Sequence, residues 1–230
     1  MKKRLLPLIL LLTLGFAACS ENEDEYDPYT NWPARNDQWF ATITDSARTA
    51  IAEAKARWGD RWEEHCEWRQ YKSLLKSQDY DSGRYTDSIC VHILQRGEGT
   101  YSPTFSDTVR LNLRGWLMPA TYKRYNADRV EVDSVLQKVF TENYSGAYNP
   151  ATAAPSLMAV GSTIEGFSTA LQYMVEGDDW LVYIPQNLAY GSSASAAIPA
   201  YSTLQFRLSM VAVYPSGSGV PAWKVRPRNP

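Results

Sequence analysis

Ile184-Pro185-Gln186-Asn187-Leu188-Ala189-Tyr190-Gly191, followed by Ile198-Pro199 and then Ser202-Thr203-Leu204-Gln205-Phe206, is the stretch on which the fold turns. It opens at the end of an apolar run, Trp180 to Ile184, that reads as a strand, and it closes on the cleanest alternation in the chain. There Leu204, Phe206, Leu208, Met210 and Ala212 recur every second residue, the period of a half-buried strand. Upstream, Ile89, Val91 and Ile93 alternate in a β-branched segment, and Val109, Leu111 and Leu113 alternate again up to Gly115. Thr163 to Met174 reads as one short helix between them. Strands separated by turns, with a single intervening helix, predict an α+β domain.

Familiar catalytic patterns are missing from the sequence. The formal charge of −2 gives no basic surface for nucleic acid. His65 and His92 have no Cys or His neighbours at ligand spacing, so no metal or other cofactor is expected. Gly97-Glu98-Gly99 reads as a turn and not as a dinucleotide loop, because no helix follows it. What the chain has instead is aromatic side chains: eight Trp, fifteen Tyr and six Phe.

The order of the motifs resembles the FKBP family of peptidyl-prolyl cis/trans isomerases, over about Ile89 to Tyr214. Gly97-Glu98-Gly99, Pro103 and Asp107-Thr108-Val109 are similar to the family's Gly-x-Gly…Pro…Asp-x-Val, and Gly115 to the glycine closing the next strand. Gly161-Ser162-Thr163-Ile164-Glu165-Gly166-Phe167 resembles "Gly…Val-Ile-x-Gly-Trp", and Met174-Val175-Glu176-Gly177-Asp178 resembles "Met-x-x-Gly-Glu". The opening stretch resembles "Ile-Pro-x-x-Leu-Ala-Tyr-Gly" followed by "Ile-Pro-x-x-x-x-Leu-x-Phe".

The resemblance implies an antiparallel half-barrel sheet wrapped on one short helix, with a peptide cleft between them. Position by position it implies Phe167 as the cleft floor in place of the family's Trp. The Ile164 backbone would bond to the peptide, the Tyr190 hydroxyl to its carbonyl, and Ile198 and Phe206 would form the wall. Phe140, Met158 and Thr163 would line the cleft. Thr141 stands where the family has Asp, and Leu113 where it has a cleft Tyr. The implied activity is isomerisation of X–Pro bonds in proline-containing peptides or unfolded segments of exported proteins. The two substituted polar positions leave a catalytically weak binding module as the alternative. Residues 116–139 form an insertion, and its charged part, 123–133, reads as a solvated loop or hairpin, with a client-binding flap as the sharper reading.

Outward to the N-terminus, Met1-Lys2-Lys3-Arg4 and the apolar run to Phe16 read as a signal peptide over residues 1–18. Phe16-Ala17-Ala18-Cys19 resembles the lipobox of bacterial lipoproteins, which implies lipidation of Cys19. Residues 19–30 then form an acidic tether similar to those of Bacteroidota lipoproteins. Together these predict an outer-membrane lipoprotein, facing the periplasm or the surface. Residues 31–83 are expected to be helical: Phe40, Ile43, Ala47, Ile51, Ala54 and Trp58 keep helical spacing, with Asn31 as N-cap, and a second helix runs from Trp62 to Leu74. This pair packs on the domain or serves as a dimerisation or client-holding arm. Cys66 and Cys90 either pair as a disulfide or remain free thiols. The domain itself spans 84–214, and 215–230 reads as a flexible tail.

Overall fold

The computed structural model describes residues 27–78, 83–195 and 197–223. The expected signal peptide, Cys19 and most of the expected acidic tether therefore lie outside the described residues, as does the tail beyond Trp223.

The core is a fully antiparallel sheet in the order β1-β2-β8-β9-β3-β6, with β7 also pairing with β3. Its strands are β1 (Trp68–Lys72), β2 (Ser88–Gln95), β3 (Thr108–Leu117), β6 (Val139–Glu142), β7 (Ser156–Ala159), β8 (Asp179–Ile184) and β9 (Leu204–Tyr214). Every strand read from alternation is present. The alternation sorts the faces: Leu111, Leu113 and Leu117 of β3 and Leu204, Phe206, Leu208 and Met210 of β9 are all buried on the inner face. Helix α3 (Glu165–Tyr173) packs there through Phe167, Ala170 and Leu171.

On the outer face, α1 (Trp32–Trp58) covers the side of the sheet formed by β1, β2 and β8. Phe40, Ile43 and Ala47 fall on one side of this helix and meet Cys90, Trp68 and Tyr183. Gly59 ends it at φ 56°, its N–H donating to Lys55 O, a conformation that glycine adopts without steric cost. Asn31 stands at the N-cap position, but its side chain makes no capping bond. In the structure α1 is a layer packed on the sheet, as the packed reading expects.

The expected second helix is corrected. After one turn, α2 (Trp62–His65), the chain becomes β1, which pairs with β2 in the register Trp68–His92 to Lys72–Ser88. Cross-strand stacking favours the strand: Trp68 lies flat on His92, its register partner, at 4.7 Å. On the inner side, Tyr71 stacks on Tyr173 of α3 at 3.9 Å.

The disulfide alternative is excluded by the same register. Cys66 and Cys90 are both buried free thiols. Cys90 sits opposite Gln70, four residues along from Cys66, or about 13 Å of strand, well beyond the reach of a disulfide. Cys90 Sγ lies 3.6 Å from Thr44 Oγ1, and burial pushes its thiol pKa up.

Residues 116–139 contain a separate two-stranded hairpin, β4 (Ala120–Tyr125) with β5 (Glu131–Leu136). Asn126 Oδ1 closes its turn by accepting from the Asp128 and Val130 N–H groups.

The two glycine motifs are explained by one contact. Gly97 and Gly99 lie against the backbone of Glu176, where a Cβ on Gly97 would stand 2.3 Å from Glu176 O. Asp178 seals the contact by accepting from the Gly97 and Val175 N–H groups, each at 2.7 Å.

The expected flexible tail is pinned as far as it is described. Ser216 N–H donates to Asp107 at 2.8 Å, and Arg110, buried on β3, donates to Pro221 O and faces the Trp223 ring at 5.2 Å. Asp107 is 2 % exposed and also accepts from Tyr101 OH and Thr104 N–H. Burial raises its pKa, but these donors outweigh burial and hold the carboxyl below the ordinary carboxylate value. The unfolded chain thus binds the proton more tightly. This contribution to stability is present above the ordinary value of about 4 and is lost as pH falls through the lower folded value. Asp107→Asn should therefore be less stable than wild type at neutral pH, with the gap narrowing towards pH 3 in urea titrations. A gap independent of pH would rule the carboxylate out as the cause.

Candidate active site

Three strands, β3, β6 and β9, meet at Gly115. It faces Phe206 across the β3–β9 ladder and Thr141 across the β3–β6 ladder. A side chain here would collide: a Cβ would stand 2.7 Å from Phe140 Cζ and 2.8 Å from both Phe206 Cε1 and Thr141 Cγ2. The glycine of the motif therefore makes room for an aromatic cluster.

Phe206 is the centre of that cluster. Phe167 meets it at 4.9 Å and 87°, and Phe140 meets it at 5.3 Å and 86°. Both are edge-to-face contacts, which set the positive edge of one ring against the negative face of another. Phe167 is 4 % exposed, because α3 turns it inward onto the sheet. Leu113 and Ile198 are buried in the same apolar cluster, and Phe140, Met158 and Ile164 pack on it partly buried. Met158 comes from β7, opposite Val109. No member of the cluster is charged.

The polar candidates stand at the rim. Ile164 is the residue ahead of α3, with extended backbone, and its N–H meets no acceptor among the described residues. Thr163 is spent locally, its hydroxyl donating to Val160 O at 2.9 Å. Tyr190 lies outside the apolar cluster. It is 49 % exposed, and its hydroxyl has no partner among the described residues. Thr141 flanks Gly115 and carries no charge.

The sequence-derived residues are thus brought together, save that Thr163 and Tyr190 mark the edge. What the site offers is an uncharged cluster of aromatic rings, an open N–H just ahead of α3 and an exposed, open hydroxyl in the connection that follows β8. The signal that escaped sequence reading is Gly115 as the spacer of the rings. In the sequence it marks only the end of a strand, although a glycine in a strand interior marks close approach of another group.

A family profile described as FKBP-type peptidyl-prolyl cis-trans isomerase matches residues 99–211. Among curated proteins, the chain is similar to the macrophage infectivity potentiator of Trypanosoma cruzi, 26% identical over 151 residues, covering 65% of this chain and 65% of that protein. It is also similar to the FKBP-type 22 kDa peptidyl-prolyl cis-trans isomerase of Escherichia coli K12, 30% identical over 122 residues, covering 53% of this chain and 48% of that one. The chain therefore spans about half to two thirds of the length of these relatives. Among solved structures, a peptidyl-prolyl cis-trans isomerase from Pseudomonas syringae pv. tomato aligns over 76% of this chain and 95% of its own, at 22% identity and a TM-score of 0.42.

Proposed function

Because residues 99–211 belong to the FKBP-type peptidyl-prolyl cis-trans isomerase family, we propose that this chain isomerises X–Pro bonds in proline-containing peptides and unfolded protein segments. The observation that carries the reading is the uncharged ring cluster of Phe140, Phe167 and Phe206, together with the unpartnered Ile164 N–H and Tyr190 hydroxyl.

The reaction suits such a site. Rotation about a peptide bond faces a barrier of about 20 kcal/mol, because planarity carries the amide resonance. Twisting removes that resonance and leaves a less polar carbonyl, so no bond is made and no proton need move. A pocket of aromatic edges and faces favours the twisted state over the planar, solvated one, and this difference in binding lowers the barrier. The proline ring would sit against Phe167 and Phe206. Ile164 N–H would donate to the peptide backbone, and Tyr190 would donate to the carbonyl of the rotating bond.

The clients we propose are exported proteins. Cys19 would carry the lipid and residues 19–30 would tether the domain to the outer membrane, and the insertion hairpin would touch the client. Among the described residues no helix is long and apolar enough to cross a membrane.

A second reading rests on Thr141 and Leu113, which remove two polar groups from the cleft while the apolar wall persists. On that reading the domain holds peptide with little turnover. NMR exchange on proline peptides separates the two. Isomerisation is expected to accelerate above background, and Tyr190→Phe to lower kcat/KM about fivefold, the effect of one lost hydrogen bond. Peptide-induced shifts at Phe167 and Phe206 without acceleration would sink the enzyme and leave the binding module.

A further inference from the structure

The cleft rim is held by a part of the chain that lies outside the matching segment 99–211. Tyr190 and Ile198 sit in one connection between β8 and β9, and both ends of that connection are bonded to the first turns of α1.

At the near end, Asp37 Oδ1 accepts from Gln186 Nε2 at 3.1 Å. Gln186 O in turn accepts from the Ala189 and Gly191 N–H groups, each at 3.0 Å, closing the turn that presents Tyr190. At the far end, Trp32 Nε1 donates to Ser202 Oγ at 2.8 Å, and Ser202 Oγ donates to Pro199 O at 2.6 Å, next to Ile198. Asn36, 0 % exposed, accepts from Thr203 N–H through Oδ1 at 2.8 Å, while its amide donates to Trp32 O at 2.8 Å. The two ends are joined by Tyr201 N–H donating to Gly191 O at 2.7 Å.

Tyr201 itself has φ 60°, a backbone region that a non-glycine residue occupies only when its surroundings hold it there. The residues that follow it, Ser202 and Thr203, are the ones α1 grips. The bonds at Trp32 and Asn36 are buried, so water offers no replacement partner.

We infer that Trp32, Asn36 and Asp37 are positioning residues for the peptide cleft: α1 fixes the two ends of the rim, 186–191 and 199–203, and so sets where Tyr190 and Ile198 stand. This rests on the isomerase reading of the cleft for its kinetic consequence, but not for its structural one. The functional unit then begins at α1 and not at the matching segment.

The test uses the full chain with Trp32→Phe, which keeps an aromatic ring and removes the indole donor, together with Asp37→Ala and Asp37→Asn. Amide hydrogen exchange is followed at Gly191, Ser193 and Tyr201 on the rim and at Leu111 and Leu113 in β3. KM and kcat are measured alongside on a proline peptide. Trp32→Phe and Asp37→Ala are expected to speed rim exchange about fivefold or more, with the β3 amides unmoved. KM should rise by a similar factor with kcat near wild type. Asp37→Asn, whose amide oxygen accepts the same bond, should restore both. Unchanged rim exchange, an equal rise in β3, or failure of Asp37→Asn to rescue would each overturn the inference. If wild type shows no acceleration, the isomerase reading fails, and rim exchange with the peptide Kd in place of KM still decides this one.

Discussion

Phe167→Ala is expected to abolish measurable isomerase acceleration and to lower folding stability by about 3–5 kcal/mol, the range for truncating a buried phenylalanine. The ring is almost wholly enclosed, and it is the only cleft side chain supplied from within α3 itself. Removing it opens a cavity under the helix and deprives Phe206 of one of its two edge-to-face neighbours. The catalytic and structural losses can be separated with Phe167→Leu, which keeps apolar bulk against the sheet but has no ring. It should fold, and it should still lose the aromatic surface on which the twisted amide is favoured. Urea unfolding beside an NMR exchange assay reads both quantities. A folded Phe167→Ala with wild-type acceleration would remove the floor from the proposed cleft.

The parts of this fold that were legible in the sequence are those where one local rule decides. β9 was readable because Leu204 to Met210 alternate without interruption, and only a strand with one buried face needs that pattern. α3 was readable because Phe167, Ala170 and Leu171 share a face between two recognisable turns. β1 was not: Trp62, Cys66, Arg69 and Leu74 happen to fall near helical spacing, and the partner that makes Trp68–Lys72 a strand is β2, fixed only by pairing. The hairpin β4–β5 gave no firm signal for a different reason. It buries little on either face: Ala120 alone is buried, and β5 alternates only between exposed and half-buried positions, too shallow a contrast to select apolar residues. The pinned tail depends on Arg110, far upstream, which composition cannot announce. In the site, the apolar positions followed from the motifs. The grip of α1 on the rim joins residues 149 to 170 positions apart and was invisible for that reason.

Gly115→Ala is the second substitution with a large expected effect, and its value lies in comparison with Gly97→Ala. Both add a single methyl group where there is no room. At Gly97 the obstacle is the Glu176 backbone, at 2.3 Å from the carbonyl oxygen, in the contact that Asp178 seals beside the Asp179 end of β8. Backbone cannot rotate away, so the motif contact must open. At Gly115 the obstacles are three side chains, Phe140, Thr141 and Phe206, all at the cleft. Their rings can tilt, but only by giving up the perpendicular arrangement that Phe206 makes with Phe140 and Phe167. Overpacking of this kind costs about 1–3 kcal/mol, and Gly97→Ala should be the more destabilising of the two. Peptide affinity should follow the opposite order: weakened about tenfold or more in Gly115→Ala, and near wild type in whatever fraction of Gly97→Ala is folded. Titration of a proline peptide by NMR, at a temperature where both variants are native, reads this directly. Equal affinities in the two variants would mean that the ring geometry around Gly115 does not govern binding. The inverse order of stability and affinity is what a cleft built on that glycine requires, because only there does the added methyl group touch the surface proposed to meet the substrate.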